Sequence, residues 1–323
     1  MTWSTTVTRS PVSRFDAVNT HRPILVGAVI DALCIDPDGN YVDATFGRGG
    51  HTRSLLERLS PEGRILAIDR DPAAIAVANS LANEDARVRV RHGRMSEMKR
   101  FADDVALHDV AGVLMDLGVS SPQLDDPQRG MSFRGDGPLD MRMDPTSGIS
   151  ASHWINNAGE DELTTVFREF GEERHARRIA RAIVDRRAQA PIERTSELAA
   201  LVAQAQPRPD PHKHAATRVF QAIRIHINDE LEEVRLALDA AFELIRSGGR
   251  IAVLTFHSLE DRIVKHAFRR WTEGDVLPRR LPITGRAATS ARLVVRARRA
   301  DAAEVAANPR ARSAMLRVLE KAA

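Results

Sequence analysis

The sequence reads as an α/β protein: a parallel, Rossmann-like sheet with helices on its faces and an all-helical segment inserted into it. Three features carry this expectation. Short apolar runs alternate with helix-period segments between residues 22 and 116, the pattern of strands joined by crossover helices. The alternation then stops, and residues 125 to 210 hold helical periodicity without a buried strand. After it comes Arg250–Thr255, a run whose apolar residues suit the centre of a sheet covered on both sides.

Taken in order, residues 22–35 predict a helix with Ile24, Leu25, Ala28, Val29, Ala32 and Leu33 on one face, broken by Pro37, Gly39 and Asn40. Tyr41–Thr45 predicts a strand, Thr52–Leu59 a helix and Arg64–Ile68 a second strand. Asp71-Pro72 opens the next helix, with proline in its first turn. Arg87–His92 and Ala111–Leu114 predict a third and a fourth strand. Residues 125–148, rich in Asp, Gly, Pro and Met, predict a long functional loop with Met131, Met141 and Met143 packed beneath it. Helical patterns follow at 150–158, 160–170, 172–189 and 195–206, closed by Pro207, Pro209 and Pro211. Ala215–Ile227 and Leu231–Arg246 predict two more helices, the second capped by Ser247-Gly248-Gly249. Leu293–Arg298 and Ala314–Leu319 predict the last strands. The division expected is a tail at 1–20, a sheet domain at 21–127 and 212–323, and a helical insert at 128–211.

With 323 residues, 43% of them hydrophobic and 28% charged, the chain has ordinary globular composition, which excludes a disordered protein. Cys34 is the only cysteine, so no intrachain disulfide forms, as suits a reducing, cytoplasmic setting. No apolar run is long enough for a membrane span, and residues 1–20 lack the core of a signal peptide. The net charge of +3 hides an asymmetry. Residues 262–323 hold 15 basic and 5 acidic side chains, and the remainder 32 and 39. A basic C-terminal fifth on an acidic body points to a polyanionic partner or to a solvated surface. All but four of the 47 basic residues are arginine, whose planar fork suits phosphate, although genome composition explains the scarcity of lysine equally well.

The strongest local signal is strand, then Gly47-Arg48-Gly49-Gly50-His51, then helix. Glycines after a first strand let backbone approach a ligand, and the helix N-terminus favours electron-rich groups. Asp69 lies 20 residues past Gly49 at the end of the second strand, where a carboxylate binds the ribose hydroxyls of an adenosine cofactor. The pair leaves NAD and S-adenosylmethionine open, but the short glycine loop lacks the last spaced glycine of the dinucleotide fingerprint. Asp116 ends the fourth strand and is followed by Ser120, Ser121, Pro122 and Gln123, which places it at the ligand crevice or makes it a turn cap. His212 and His214 have no third clustered ligand, so no metal site is expected. His257 and Ser258 are sequence neighbours, which suits a substrate loop better than a nucleophile and base. Arg174, Arg177, Arg178 and Arg181 crowd one predicted helix, either as an RNA face or as a solvated face paired with Glu172 and Glu173.

Together these motifs resemble the bacterial ribosomal RNA small subunit methyltransferase H family, also called MraW. The matching stretches are Tyr41–His51, Leu66–Asp71, Asp116–Asp125, Asp136–Asp144, Gly171–Arg181, Thr217–Ile225, Thr255–Lys265 and Asn308–Arg317. The resemblance implies a class I S-adenosylmethionine-dependent methyltransferase sheet. It implies N4-methylation of cytosine 1402 of 16S rRNA, in the decoding region near the P site of the small ribosomal subunit. By the family's pattern Gly49, Gly50 and His51 contact the methionine end of the cofactor and Asp69 its ribose, while Asp116 and Gln123 fall on further cofactor positions. Met95 occupies a position, usually aromatic in the family, near the adenine. Asp116 is also the candidate catalytic acceptor for the amine, with the Ser120–Pro122 backbone, and Phe133 or Phe256 the candidate platform for the base. The chain lacks the second proline and the aromatic of the amino-methyltransferase motif after this strand. The family also admits a homodimer. Competing readings are a Rossmann oxidoreductase, a non-catalytic small-subunit RNA-binding or assembly factor, and a methyltransferase of another RNA cytosine.

Overall fold

The computed structural model describes residues 23–206, 214–273 and 289–323. The expected tail, His212, the closing prolines and part of the basic segment lie outside the described residues. Seven strands among the described residues form one sheet: β1 (Asn40–Asp43), β2 (Arg64–Asp69), β3 (Val88–His92), β4 (Val110–Asp116), β5 (Ile245–Thr255), β6 (Ala291–Arg299) and β7 (Met315–Lys321). Their order is β3-β2-β1-β4-β5-β7-β6. The first five run parallel, and β7 lies antiparallel between β5 and β6. The order reverses between β1 and β4, which opens a crevice at the carboxyl ends of those strands.

Thirteen helices are described. In chain order they are α1 (Val26–Leu33), α2 (Gly50–Leu56), α3 (Pro72–Glu84), α4 (Met98–Asp104), α5 (Ser121–Asp125), α6 (Ala151–Asn157), α7 (Glu160–Glu169), α8 (Ala176–Arg187), α9 (Thr195–Ala205), α10 (Thr217–Ile227), α11 (Glu230–Leu244), α12 (Ser258–Glu273) and α13 (Ala302–Ala307). Strand residues alternate between the two faces of the sheet, as the two-residue period requires. Val42, Leu66, Ile68, Val113, Met115, Ile251 and Val253 pack with Met98 and Phe101 of α4, Val234 and Leu238 of α11, and Val264 and Phe268 of α12. Tyr41, Ile65, Ala67, Leu114, Ala252 and Leu254 pack with Val29 and Leu33 of α1, Leu55 of α2 and Leu81 of α3. A separate core joins Trp154, Ile155, Leu163, Phe167, Ile179, Ile183, Leu198 and Val202 of the inserted helices.

Four local expectations change. The first helix begins at Val26, because Leu25 adopts a left-handed conformation at φ 54° and its amide donates to Glu304 of α13. Ser247-Gly248-Gly249 does not cap α11. The chain turns straight into β5, where Gly248 at φ 75° sits in a bulge that skips from the Val110–Ile245 pair to the Gly112–Arg250 pair. Helix α10, assigned by sequence to the sheet domain, sends Val219, Phe220, Ala222 and Ile223 into the helical core, so that packed unit continues to α10. Arg174 lies before α8 rather than on it. Arg177, Arg178 and Arg181 are exposed, and Glu172 and Glu173 turn elsewhere, to Arg262 and to Gln206.

Candidate active site

A cleft of about 1710 Å³ opens over the carboxyl ends of β1, β2 and β4. Its construction begins with the glycine turn. The Gly47 amide donates to Asp69 Oδ2 at 2.7 Å, and Gly47 adopts φ 56°, a left-handed turn that brings bare backbone to the cleft. Gly49, at φ 74°, precedes α2, and a Cβ there would stand 2.5 Å from the Phe46 ring. Gly49 lies behind the turn, whereas Gly47, Arg48, Gly50 and His51 line the cleft.

Both Asp69 oxygens accept one backbone amide, Oδ2 from Gly47 and Oδ1 from Asp71 at 2.9 Å. Burial pushes this carboxyl up from the usual range. Asp71 caps α3 by accepting the Ala73 amide. Its other oxygen accepts Gln123 Nε2 and Arg129 Nη1, both at 2.8 Å. Gln123 Oε1 accepts the Ser120 amide at 2.8 Å, so the Gln123 side chain braces the turn between β4 and α5 while lining the cleft. Arg129 also donates to the carbonyls of Arg142 and Met143, which ties the long loop to the N-terminus of α3. Met95, in the turn before α4, contributes a partly buried thioether to the wall.

Asp116 lies at the last position of β4 with its side chain 29% exposed. Its Oδ1 is buried without a hydrogen-bond partner among the described residues. His51 Nε2 contacts the Ile24 carbonyl at 3.1 Å, and a carbonyl only accepts, so Nε2 carries the proton. Burial holds His51 below the ordinary imidazole range, which leaves Nδ1 bare at 3.5 Å from Asp116 Oδ2. Burial, and then the charge of Glu260, push Asp116 up to about 7. A protonated Asp116 and a bare Nδ1 are mutually consistent. Behind them Asp43 accepts the Thr52 hydroxyl at 2.6 Å and is pushed up to about 6, burial outweighing that bond.

The far wall comes from the turn after β5. Glu260, 1% exposed, accepts the amides of Phe256 and His257. His257 Nδ1 accepts the Glu260 amide at 3.4 Å, leaving the protonated Nε2 at 3.1 Å from Glu260 Oε1 but poorly aligned to donate. Burial opposes ionisation of Glu260, yet the His257 contact, the Phe256 amide and the Arg224 charge hold it below the usual range. His257 is therefore a partner of Glu260, and Ser258 reaches toward Glu172, so the two do not form a nucleophile and base. Donor atoms of Glu230, His257 and Glu260 lie within 4.8 Å of one another, a spacing that suits a cation. Arg224 already meets both oxygens of Glu230, at 2.7 and 2.8 Å, so a guanidinium supplies the positive charge there.

Phe133 and Phe256 both line the cleft, Phe133 stacked on His214 with ring centroids 4.3 Å apart. Sequence reasoning missed Asp43, the Asp71–Arg129 node and the Arg224–Glu230 pair. Asp71-Pro72 signals a helix start, but nothing local signals a partner 58 positions away.

The family model of the MraW methylase family matches residues 18–322. A ribosomal RNA small subunit methyltransferase H from Chromohalobacter salexigens is 54% identical over 304 residues, covering 93% of this chain and 91% of that protein. The protein of the same name from Thioalkalivibrio sulfidiphilus is 53% identical, covering 94% of this chain and 98% of its own. Among solved structures, an rRNA methylase from Streptococcus thermophilus aligns with 92% of this chain and 94% of its own at 11% identity and a TM-score of 0.40, a likeness too distant to carry a residue's role. The motifs around the glycine turn, Asp69 and Asp116 thus sit inside a match that runs nearly the whole length of the chain, and the chain belongs to the MraW methylase family.

Proposed function

We propose that the cleft binds S-adenosylmethionine and methylates N4 of a cytosine in 16S rRNA, base 1402 in the decoding region of the small ribosomal subunit. The observation that carries this reading is the pairing of two carboxylates in one cleft. Asp69 ends β2 beside the glycine turn, and Asp116 ends β4 with an unpartnered buried oxygen. The names of the relatives support the rRNA substrate.

The residues fit the methyl donor. Each Asp69 oxygen accepts one amide and keeps a lone pair for a ribose hydroxyl. Gly47 offers bare backbone, and Gly50 and His51 open α2 toward the methionine end. Met95 covers the adenine side with a polarizable thioether, and Gln123 holds the intervening turn. A volume of about 1710 Å³ exceeds that of a usual single-ligand pocket, of order 300–1,000 Å³, and leaves room for a nucleotide beside the donor.

When bound, the donor supplies an electrophilic sulfonium methyl group. The protein must then improve a poor nucleophile, because the N4 lone pair is delocalised into the cytosine ring. As a carboxylate, Asp116 accepts one N4 hydrogen, localises that lone pair and takes up developing charge. The Ser120–Pro122 backbone supplies a further acceptor, and holding the amine against the methyl group supplies much of the remaining acceleration. The base leaves its stack to enter, with Phe133 or Phe256 as its platform. The long loop and α10, with the described part of the basic C-terminal segment, line the cleft and form the cradle for RNA held in the assembled subunit.

The test uses small subunits from a strain lacking the enzyme, incubated with the protein and tritiated S-adenosylmethionine. Label at N4 of cytosine 1402 is the expected result. Label on adenine or on a small molecule overturns it.

A further inference from the structure

Many arginines of this protein are neutralised at its surface, as Arg58 is by Asp31, Arg142 by Asp140 and Arg194 by Asp136. The deeper arginines of the cleft are also engaged: Arg70 with the Asn228 carbonyl, Arg224 with Glu230 and Arg310 with Asp125. Five cleft residues differ. Arg48, Arg134, Arg298, Arg299 and Arg312 all line the cleft, and among the described residues none has an ion pair or a side-chain hydrogen bond. They come from four segments: the turn after β1, the long loop, the end of β6 and the turn before β7. All but Arg48 are exposed. Gathering five unneutralised cations around one opening costs self-repulsion, which an arriving anion relieves.

We infer that these five arginines are a phosphate clamp for single-stranded RNA crossing the mouth of the cleft, with the insert loop holding one side of the target nucleotide and the C-terminal segment the other. This rests on the reading that the cleft methylates an RNA base. A base drawn into the cleft leaves its flanking phosphates at the mouth, and the guanidinium fork matches phosphate oxygens. A duplex keeps its bases stacked and out of reach, so the clamp takes a single strand.

The experiment measures binding of a labelled single-stranded RNA oligonucleotide by full-length protein from 50 to 200 mM salt. The variants are Arg134→Ala, Arg312→Ala and the double variant Arg298→Ala/Arg299→Ala, with Arg58→Ala as a control outside the cleft. Each clamp arginine removed should lower the slope of log affinity against log salt by about 0.7. Arg58→Ala should leave the slope unchanged, and calorimetric affinity for S-adenosylmethionine should be intact in every one of these proteins. Unchanged slopes in the clamp variants, or equal weakening of single-stranded and duplex RNA, overturn the clamp. An Arg48→Ala protein that loses cofactor affinity while keeping its salt slope removes Arg48 from it. The outcome is separable from the methylation reading: normal slopes with label still on cytosine defeat only the clamp, and altered slopes with label elsewhere defeat only the base assignment.

Discussion

Two neighbours hold Asp116 in place: the Thr45 hydroxyl accepts its amide at 2.6 Å and His51 faces one carboxyl oxygen, while the other oxygen has no partner among the described residues. A carboxyl pushed up to about 7 is mostly neutral in mildly acidic solution, and a neutral carboxyl is a poor acceptor for an amine. Methyl transfer should therefore rise with pH through about 7 in the wild type. In Asp116→Asn the single-turnover rate should fall about 100-fold and lose this pH dependence, within the usual range for general-base assistance. Weaker S-adenosylmethionine binding with an unchanged single-turnover rate assigns Asp116 to the cofactor alone. The same group affects stability. Its folded pKa lies above the unfolded value, so its contribution is complete below about pH 4 and is lost as pH rises through about 7. Asp116→Asn should accordingly be more stable than wild type at pH 8, by about 1–2 kcal/mol after discounting for the open cleft. Urea denaturation at pH 5 and pH 8 reads both the sign and the window.

At the scale of elements, the glycine turn shows how local sequence builds a site. Gly49 allows the left-handed residue from which α2 starts, and its missing Cβ makes room for the Phe46 ring at 2.5 Å. Gly49→Ala adds strain of about 1 kcal/mol in the left-handed region and displaces Phe46, and with it the turn that presents Gly47 to Asp69. A roughly tenfold or greater loss of S-adenosylmethionine affinity by calorimetry, with the fold intact by circular dichroism, is the expected result. The sequence reading lacks α12, whose 16 residues follow directly on β5 where a substrate loop was expected, and three short helices: α4 with 7 residues, α5 with 5 and α13 with 6. In those three, fewer than two turns leave too few positions for a period to emerge; α4 is held by the burial of Met98 and Phe101 in the sheet core, and the other two by local caps. Ser120 with Gln123 caps α5, and Asp301 caps α13. The Gly248-Gly249 pair misled for a related reason. A glycine pair signals a backbone special case, but whether that is a helix end or a strand bulge depends on the neighbouring strand.

Across the whole molecule, two cores meet over the cleft. Phe167 is fully buried in the helical core and Phe268 is 2% exposed in the sheet core. They are joined by Asn228, which accepts the Met143 amide at 2.7 Å and donates to the Met141 carbonyl at 2.8 Å, while Arg70 donates to its own carbonyl. Phe167→Ala should destabilise by about 3–5 kcal/mol through lost burial and the cavity it leaves. Hydrogen exchange should then quicken in α6–α10 while the amides of β1, β2 and β4 keep their protection. Equal loss of protection in both regions would show that the two cores unfold as one unit.

Local patterns in the chain announce the parallel sheet, the run of helices after residue 150, the glycine turn before α2, and Asp69 and Asp116 at strand ends, because each rests on a period or a turn within a few residues of its signal. The tertiary structure decided the rest: that β7 inserts antiparallel between β5 and β6, that α10 packs with the insert, that Gln123 and Arg129 meet on Asp71, and that His51 faces Asp116. Those contacts join segments up to several tens of residues or more apart. They exist only once the sheet order and helix packing bring the segments together, and no local pattern in the chain encodes them.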